Sequence, residues 1–264
     1  MKENYRIPWP KKYDLFGVKV SATTYNESVA LILQAAKQRI PTITSFCAAH
    51  AIVTASRDRS LLQKINTFHV IGPDGHPVRW ALNLLYHTGL SDRVYGPELM
   101  LRTCDRAAEE GVSVYLYGSS PAVIEKLHEK LIALFPKLQL AGAESPPFRT
   151  LTPEEDDAVV TRINESGAGI VFIGLGCPKQ DHFAYDHRDK IEAVQVCVGA
   201  AFDFHAGLKK MAPVWMQRNG LEWLFRLSQE PERLWHRYLV TNTLFIQKLL
   251  VQWLSQKIAS NGKP

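Results

Sequence analysis

The chain has 264 residues, 46% of them hydrophobic, which suffices to bury a sizeable core as one large domain or as a domain with an appendage and excludes a disordered or fibrous chain. Its four cysteines, Cys47, Cys104, Cys177 and Cys197, are scattered without a C-x-x-C pair, so neither a disulfide scaffold nor a structural zinc site is expected and a reducing compartment fits best. The net charge of +5 is uneven: residues 206–264 hold nine Lys or Arg against three Glu, a net of +6, leaving residues 1–205 at −1 and directing the carboxyl end towards an anionic surface or ligand. No basic tip followed by an apolar run opens the chain, and no window reaches the roughly 18 apolar residues of a membrane span, so a soluble or peripheral protein is expected.

In chain order, residues 15–22 read as a strand and residues 25–39 as a helix, with Val29, Leu31, Ile32 and Ala36 on a helical spacing. Residues 42–49 form the next strand and its exit, followed by a helix over 49–56. Thr44, Ser45 and Cys47 at that exit, and His50 at the helix start, either touch a ligand or serve as core and capping residues. Residues 68–71 give a short strand ending in Gly72-Pro73-Asp74-Gly75-His76-Pro77. In so rigid a loop Asp74 is either a base for an alcohol hydroxyl or an Asp-Gly turn bonded to its own backbone, and His76 steadies a phosphate or orients Asp74.

Helices follow over 78–87 and 99–110, with Arg93 between them free to bind an anion or close a salt bridge. A strand over 112–116 runs into Gly118-Ser119-Ser120-Pro121 and a helix over 122–135, whose first amides and serine hydroxyls can hold phosphate oxygens, although the stretch is neither a Walker sequence nor G-x-G-x-x-G. After a strand over 138–142, Thr152-Pro153-Glu154-Glu155 opens a helix reaching residue 166. Residues 169–172 are a buried strand that stops at Gly174-Leu175-Gly176, where the chain turns sharply. Pro178 can start a helix there, directing Lys179 and Gln180 towards a bound anion. A helix over 183–191 and a strand over 193–198 lead to residues 199–207, where Asp203 binds sugar hydroxyls, braces a catalytic group or caps a turn.

Repeated strand, small-residue turn and helix units argue for an α/β fold with a mostly parallel, Rossmann-like sheet covered by helices. Residues 1–207 form the expected core, and residues 208–264, with four of the six tryptophans, a basic helical appendage. Helices over 222–227 and 233–254 are separated by Pro231. Arg218, Arg226, Arg233 and Arg237 can pair with pyrophosphate, while Trp235, Leu239, Phe245, Leu249 and Trp253 meet lipid or pack within the protein or an oligomer.

Taken together, Gly72-Pro73-Asp74-Gly75, Arg93-Val94-Tyr95-Gly96, Gly118, the stretch from Gly174 to Gln180, residues 199–207 and Glu222-Trp223-Leu224-Phe225-Arg226-Leu227 with Glu230-Pro231-Glu232-Arg233 make the chain resemble the WecG/TagA/CpsF family of bacterial glycosyltransferases, family 26. The resemblance spans residues 15–249. It implies inverting, metal-independent transfer of a sugar from a nucleotide diphosphate, usually UDP, to a saccharide on polyprenyl pyrophosphate, with no cofactor. Asp74 is then the catalytic residue. Thr44, Cys47, Gly118, Ser119, Gly174, Gly176, Lys179 and Gln180 contact the donor, and His76, Arg93, Asp203, Arg226, Arg233 and Arg237 contact substrate. The implied setting is the cytoplasmic face of the bacterial inner membrane, with the appendage attaching peripherally and completing the site, no nucleic-acid partner, and a homo-oligomer possible.

Cys47 stands where the family commonly has Asn and Asp181 where it has Glu. A thiol does not supply the donor and acceptor of an amide, and Asp181 keeps the charge at shorter reach. Two other classes compete: a nucleotide-sugar-binding scaffold with a lipid- or nucleic-acid-binding tail, and a nicotinamide-dependent oxidoreductase, which the missing dinucleotide fingerprint disfavours.

Overall fold

The computed structural model describes residues 7–261, so the outermost residues of the expected core and appendage, 1–6 and 262–264, lie outside the described residues. The chain opens with strands β1 (Lys12–Leu15) and β2 (Val18–Ser21) as an antiparallel hairpin, where the sequence pattern suggested one strand. Phe16 and Gly17 take φ of 59° and 92°, and the Asp14 carboxylate accepts the Gly17 amide at 2.8 Å, reversing the chain in two residues. Helix α1 (Tyr25–Lys37) begins at a capping box between Thr24 and Glu27. Strand β3 (Thr42–Cys47), helices α2 (Ala49–Arg57) and α3 (Arg59–Ile65), strand β4 (Val70–Pro73), and helices α4 (His76–Tyr86) and α5 (Gly96–Glu110) follow, α3 being an additional turn-and-helix capped by Asp58.

Next come β5 (Val114–Gly118), α6 (Pro121–Leu134), β6 (Leu140–Glu144), α7 (Pro153–Glu165), β7 (Ile170–Gly174), α8 (Lys179–Asp186), β8 (Val194–Cys197) and the short α9 (Ala201–His205). Helix α7 has the capping box its sequence advertises, Thr152 with Glu155. Helix α8 starts four residues before the expected position, directly after Pro178, because the Gln180 amide closes onto the Gly176 carbonyl at 2.9 Å. The appendage supplies α10 (Val214–Arg218), α11 (Glu222–Gln229) and the long α12 (Pro231–Asn261).

Six strands form an all-parallel sheet in the order β4-β3-β8-β7-β5-β6, the Rossmann-like arrangement expected from the repeating units. Alternate side chains enter opposite layers: Val171 and Ile173 face α2, α4, α7 and α8, whereas Ile170 and Phe172 face α1, α5, α6 and α9. Because every strand runs the same way, the turns after Cys47, Pro73, Gly118, Gly174 and Cys197 leave from one edge of the sheet. Helix α12 lies against α2 and α4. Phe245 is buried in that layer, and the Gln252 amide bonds the Asp14 carbonyl at 2.8 Å and the Phe16 amide at 3.1 Å.

Candidate active site

Asp74 sits immediately beyond β4, where the chain has little room to choose another path. A Cβ on Gly72 would lie 2.3 Å from the Phe46 ring, and Gly75 takes φ of +87° as α4 begins. The Asp74 amide donates to the Cys47 carbonyl at 3.2 Å, and the Val94 amide donates to the Pro73 carbonyl at 2.9 Å, binding the carboxylate loop between β3 and the Arg93-Val94-Tyr95-Gly96 segment. The Gly96 amide approaches Asp74 Oδ2 at 3.4 Å. Burial pushes the Asp74 carboxyl up to about 7; Arg93 and Arg226 oppose the rise, and Glu222 adds to it. The group thus changes charge near neutrality, the property a general base needs.

Arg93 lies beside it but is engaged elsewhere. Its Nη2 donates to Glu222 Oε2 at 2.5 Å, with both side chains largely buried, and its guanidinium stacks 4.4 Å from the Tyr95 ring centre. His76 is likewise taken up by the appendage: its Nε2 donates to the Gln217 carbonyl at 2.7 Å, while its Nδ1 is buried without a hydrogen-bond partner. These contacts bring α10 and α11 against the Asp74 loop.

A cationic group completes that side. The Arg226 guanidinium lies 5.4 Å from the Phe204 ring, and its charge is felt by Asp74 and by His50. Burial, then Arg237 and Arg226, depress His50 to about 3, leaving it neutral. Arg237 has a buried Nε with no partner, and its proton affinity is lowered by burial and by its arginine neighbours, opposed by Tyr238. Arg233 differs: it is exposed and paired with Glu230, its Nε 3.0 Å from Oε1.

Across the sheet edge, Gly118 and Gly174 are partners in register, and a Cβ on Gly118 would meet the Gly174 carbonyl carbon at 2.7 Å. Gly176, with φ of +76°, faces open space, and Lys179 is exposed beside it. Ser119 donates to Asp203 Oδ1 at 3.2 Å, and Lys209 pairs with Asp203 Oδ2 at 3.1 Å, so the expected phosphate hydroxyl and sugar-binding carboxylate hold each other.

Three expected donor contacts lie behind this rim. Thr44 is 1% exposed and bonds the Gln195 carbonyl at 3.4 Å, Cys47 is 3% exposed, and Gln180 at 4% accepts the Gly199 amide at 2.9 Å. Each side chain is enclosed by the sheet or by neighbouring loops. Conversely, Ser45 bonds Asp181 at 2.7 Å, and burial raises the Asp181 carboxyl.

The match to the model of the WecG/TagA/CpsF glycosyl transferase family runs over residues 13–259. The chain belongs to that family. It is accordingly a glycosyltransferase of cell-surface polysaccharide synthesis. In this WecG/TagA/CpsF enzyme Glu222 and Tyr95 join the Asp74 surroundings although neither was singled out as a site residue. Both lie inside the motifs that carried the resemblance, but the partner of Glu222 is 129 residues away, and no local pattern announces it.

Proposed function

We propose that the enzyme moves a sugar from a UDP-sugar to a saccharide carried on polyprenyl pyrophosphate, with inversion and without a metal or other cofactor. The observation that carries this reading is the buried Asp74 carboxyl at the sheet edge, pushed up to about 7 and within reach of the Arg93 and Arg226 charges. An acceptor hydroxyl oxygen attacks the anomeric carbon as ionised Asp74 takes its proton. The bond from that carbon to the diphosphate oxygen breaks, and UDP leaves with the electron pair. The departing charge is met by Lys179, the amides around Gly174 and Gly176, and the arginines of the appendage, an arrangement that stabilises charge as it develops.

A lipid-borne acceptor is supported by the outer surface of the appendage. Trp235, Leu239, Ile246, Leu250, Leu254 and Ile258 are exposed along α12, and a hollow of about 410 Å³ lined by Met216, Leu224, Phe225, Leu227, Ser228 and Pro231 opens beside α11. No helix among the described residues is long and apolar enough to cross a membrane, so the proposed attachment is peripheral, at the cytoplasmic face of the inner membrane. Incubating the purified protein with lipid-linked acceptors and a panel of UDP-sugars and sugars of other nucleotide diphosphates tests the assignment by the mass added to the glycolipid. Extension only from another nucleotide's sugar, or no extension at all, would overturn it.

A further inference from the structure

Arg93 and Glu222 come from opposite sides of the junction between core and appendage, and two carboxylates compete for the same guanidinium. Arg93 is 8% exposed and Glu222 9%, so an unpaired charge at either position would be costly. The nearer acid is Glu222, at 2.5 Å; Asp74 also lies within reach of the Arg93 charge. We propose that Glu222 is a positioning residue: by neutralising Arg93 it keeps that guanidinium from pairing with Asp74 and holds α11, with Arg226, over the Asp74 loop. The inference rests on the reading of Asp74 as the base.

Its physical content is a division of labour between two acids. Glu222 occupies the Arg93 guanidinium at 2.5 Å, and Asp74 is left without that ion pair. Arg226 lies one helical turn beyond Glu222 and shares its face of α11, so the contact that occupies Arg93 also orients an appendage cation whose charge reaches Asp74. The His76 contact to the Gln217 carbonyl, 2.7 Å long, is a second tether in the same junction.

The other groups facing Asp74 are Cys47 from β3, Tyr25 from α1, the Gly96 amide, and Arg226 from α11, with Tyr95 beside Glu222. None of them changes in the variants that test the proposal. In Glu222→Gln the Arg93 charge is released towards Asp74, so the acid limb of the pH profile of kcat/KM should move down by about one pH unit, with transfer falling roughly tenfold or more. Arg93→Met should move the same limb up, and the double variant Arg93→Met/Glu222→Met should bring it back near its original position.

Opposite displacements by the two single variants are what a merely structural contact would not produce. Limbs that stay in place in Glu222→Gln and Arg93→Met, or move together, would overturn the proposal. If Glu222→Gln does not fold, the upward displacement in Arg93→Met and its reversal in the double variant decide the matter. Asp74→Asn separates the two levels: full transfer in that variant refutes the base assignment, whereas its inactivity together with an unmoved limb in Glu222→Gln and Arg93→Met refutes only the role given to Glu222.

Discussion

The sheet and the appendage are held in place by different physics. In the sheet, Ile170, Phe172, Val194 and Val196 are buried on one face and Val171 and Ile173 on the other, and full burial of each such side chain contributes about 1.5–3 kcal/mol. In the appendage α10 buries no residue, α11 buries Glu222, and α12 buries Leu234 and Phe245 among its described side chains. Helices α10 and α11 are tied by polar contacts, Gln217 to His76 and Glu222 to Arg93, while α12 packs Leu244, Phe245, Leu249 and Trp253 on the core and adds the Gln252 bonds to the β1–β2 hairpin. An apolar core spreads its stability over many contacts, whereas a few hydrogen bonds can be released one at a time. The half of the site that carries the arginines is therefore the half that opens at lower cost.

The sharpest way to use this contrast is to alter chemistry without altering either half. Asp74→Asn should lower transfer by about 10²- to 10⁴-fold, with UDP-sugar binding by calorimetry little changed. It should also raise the melting temperature at pH 8. The folded carboxyl binds its proton more tightly than the unfolded one, with a folded value of about 7 against 3.8, so native stability falls as pH rises through that window. The amide removes this loss, and an unchanged melting point at pH 8 would contradict the burial of the charge.

Gly118→Ala attacks the sheet side instead. Its Cβ would press on the Gly174 backbone at 2.7 Å from a residue with φ of +133°, and urea unfolding should show a loss of about 3 kcal/mol or more. A smaller effect is expected from Arg237→Gln, which leaves the fold intact but removes a cation whose buried Nε has no hydrogen-bond partner. Transfer should fall about tenfold, by the loss of one charge-assisted contact, while the melting curve stays in place.

The mildest test is Gln252→Ala, which removes the amide between α12 and the hairpin and should cost about 1–2 kcal/mol. Amide exchange should quicken in α12 while β7 and β8 remain protected. Equal acceleration in the strands would show that the two regions open as one unit, and the comparison would fail.

Much of the layout was legible along the chain because its causes are local. Apolar runs ending in Gly72-Pro73-Asp74, Gly118 and Gly174-Leu175-Gly176 marked the strands and their exits, and Thr152 with Glu155 marked a helix start. The hairpin at Phe16–Gly17 was concealed because residues 15–22 read as one strand straight across the turn, leaving residues 12–14 outside it. The catalytic candidate Asp74 stood out through its rigid loop, but the state of its neighbours did not. Thr44, Cys47 and Gln180 looked like ligand contacts because each is polar or small at a strand exit, and each has its side chain enclosed behind the rim.

By itself, then, the order of residues determined a parallel α/β core, the edge at which its turns gather, and the acid presented there, since hydrophobic alternation and glycine conformations act over a few residues. Only the tertiary structure decided which polar groups remain unengaged. Arg93 became a buried ion-pair partner because Glu222 arrives from 129 residues away, and Arg237 kept a nitrogen without a hydrogen-bond partner because no acid among the described residues pairs with it. Pairing between charges depends on distance in space and on desolvation, and neither quantity is written in sequence spacing.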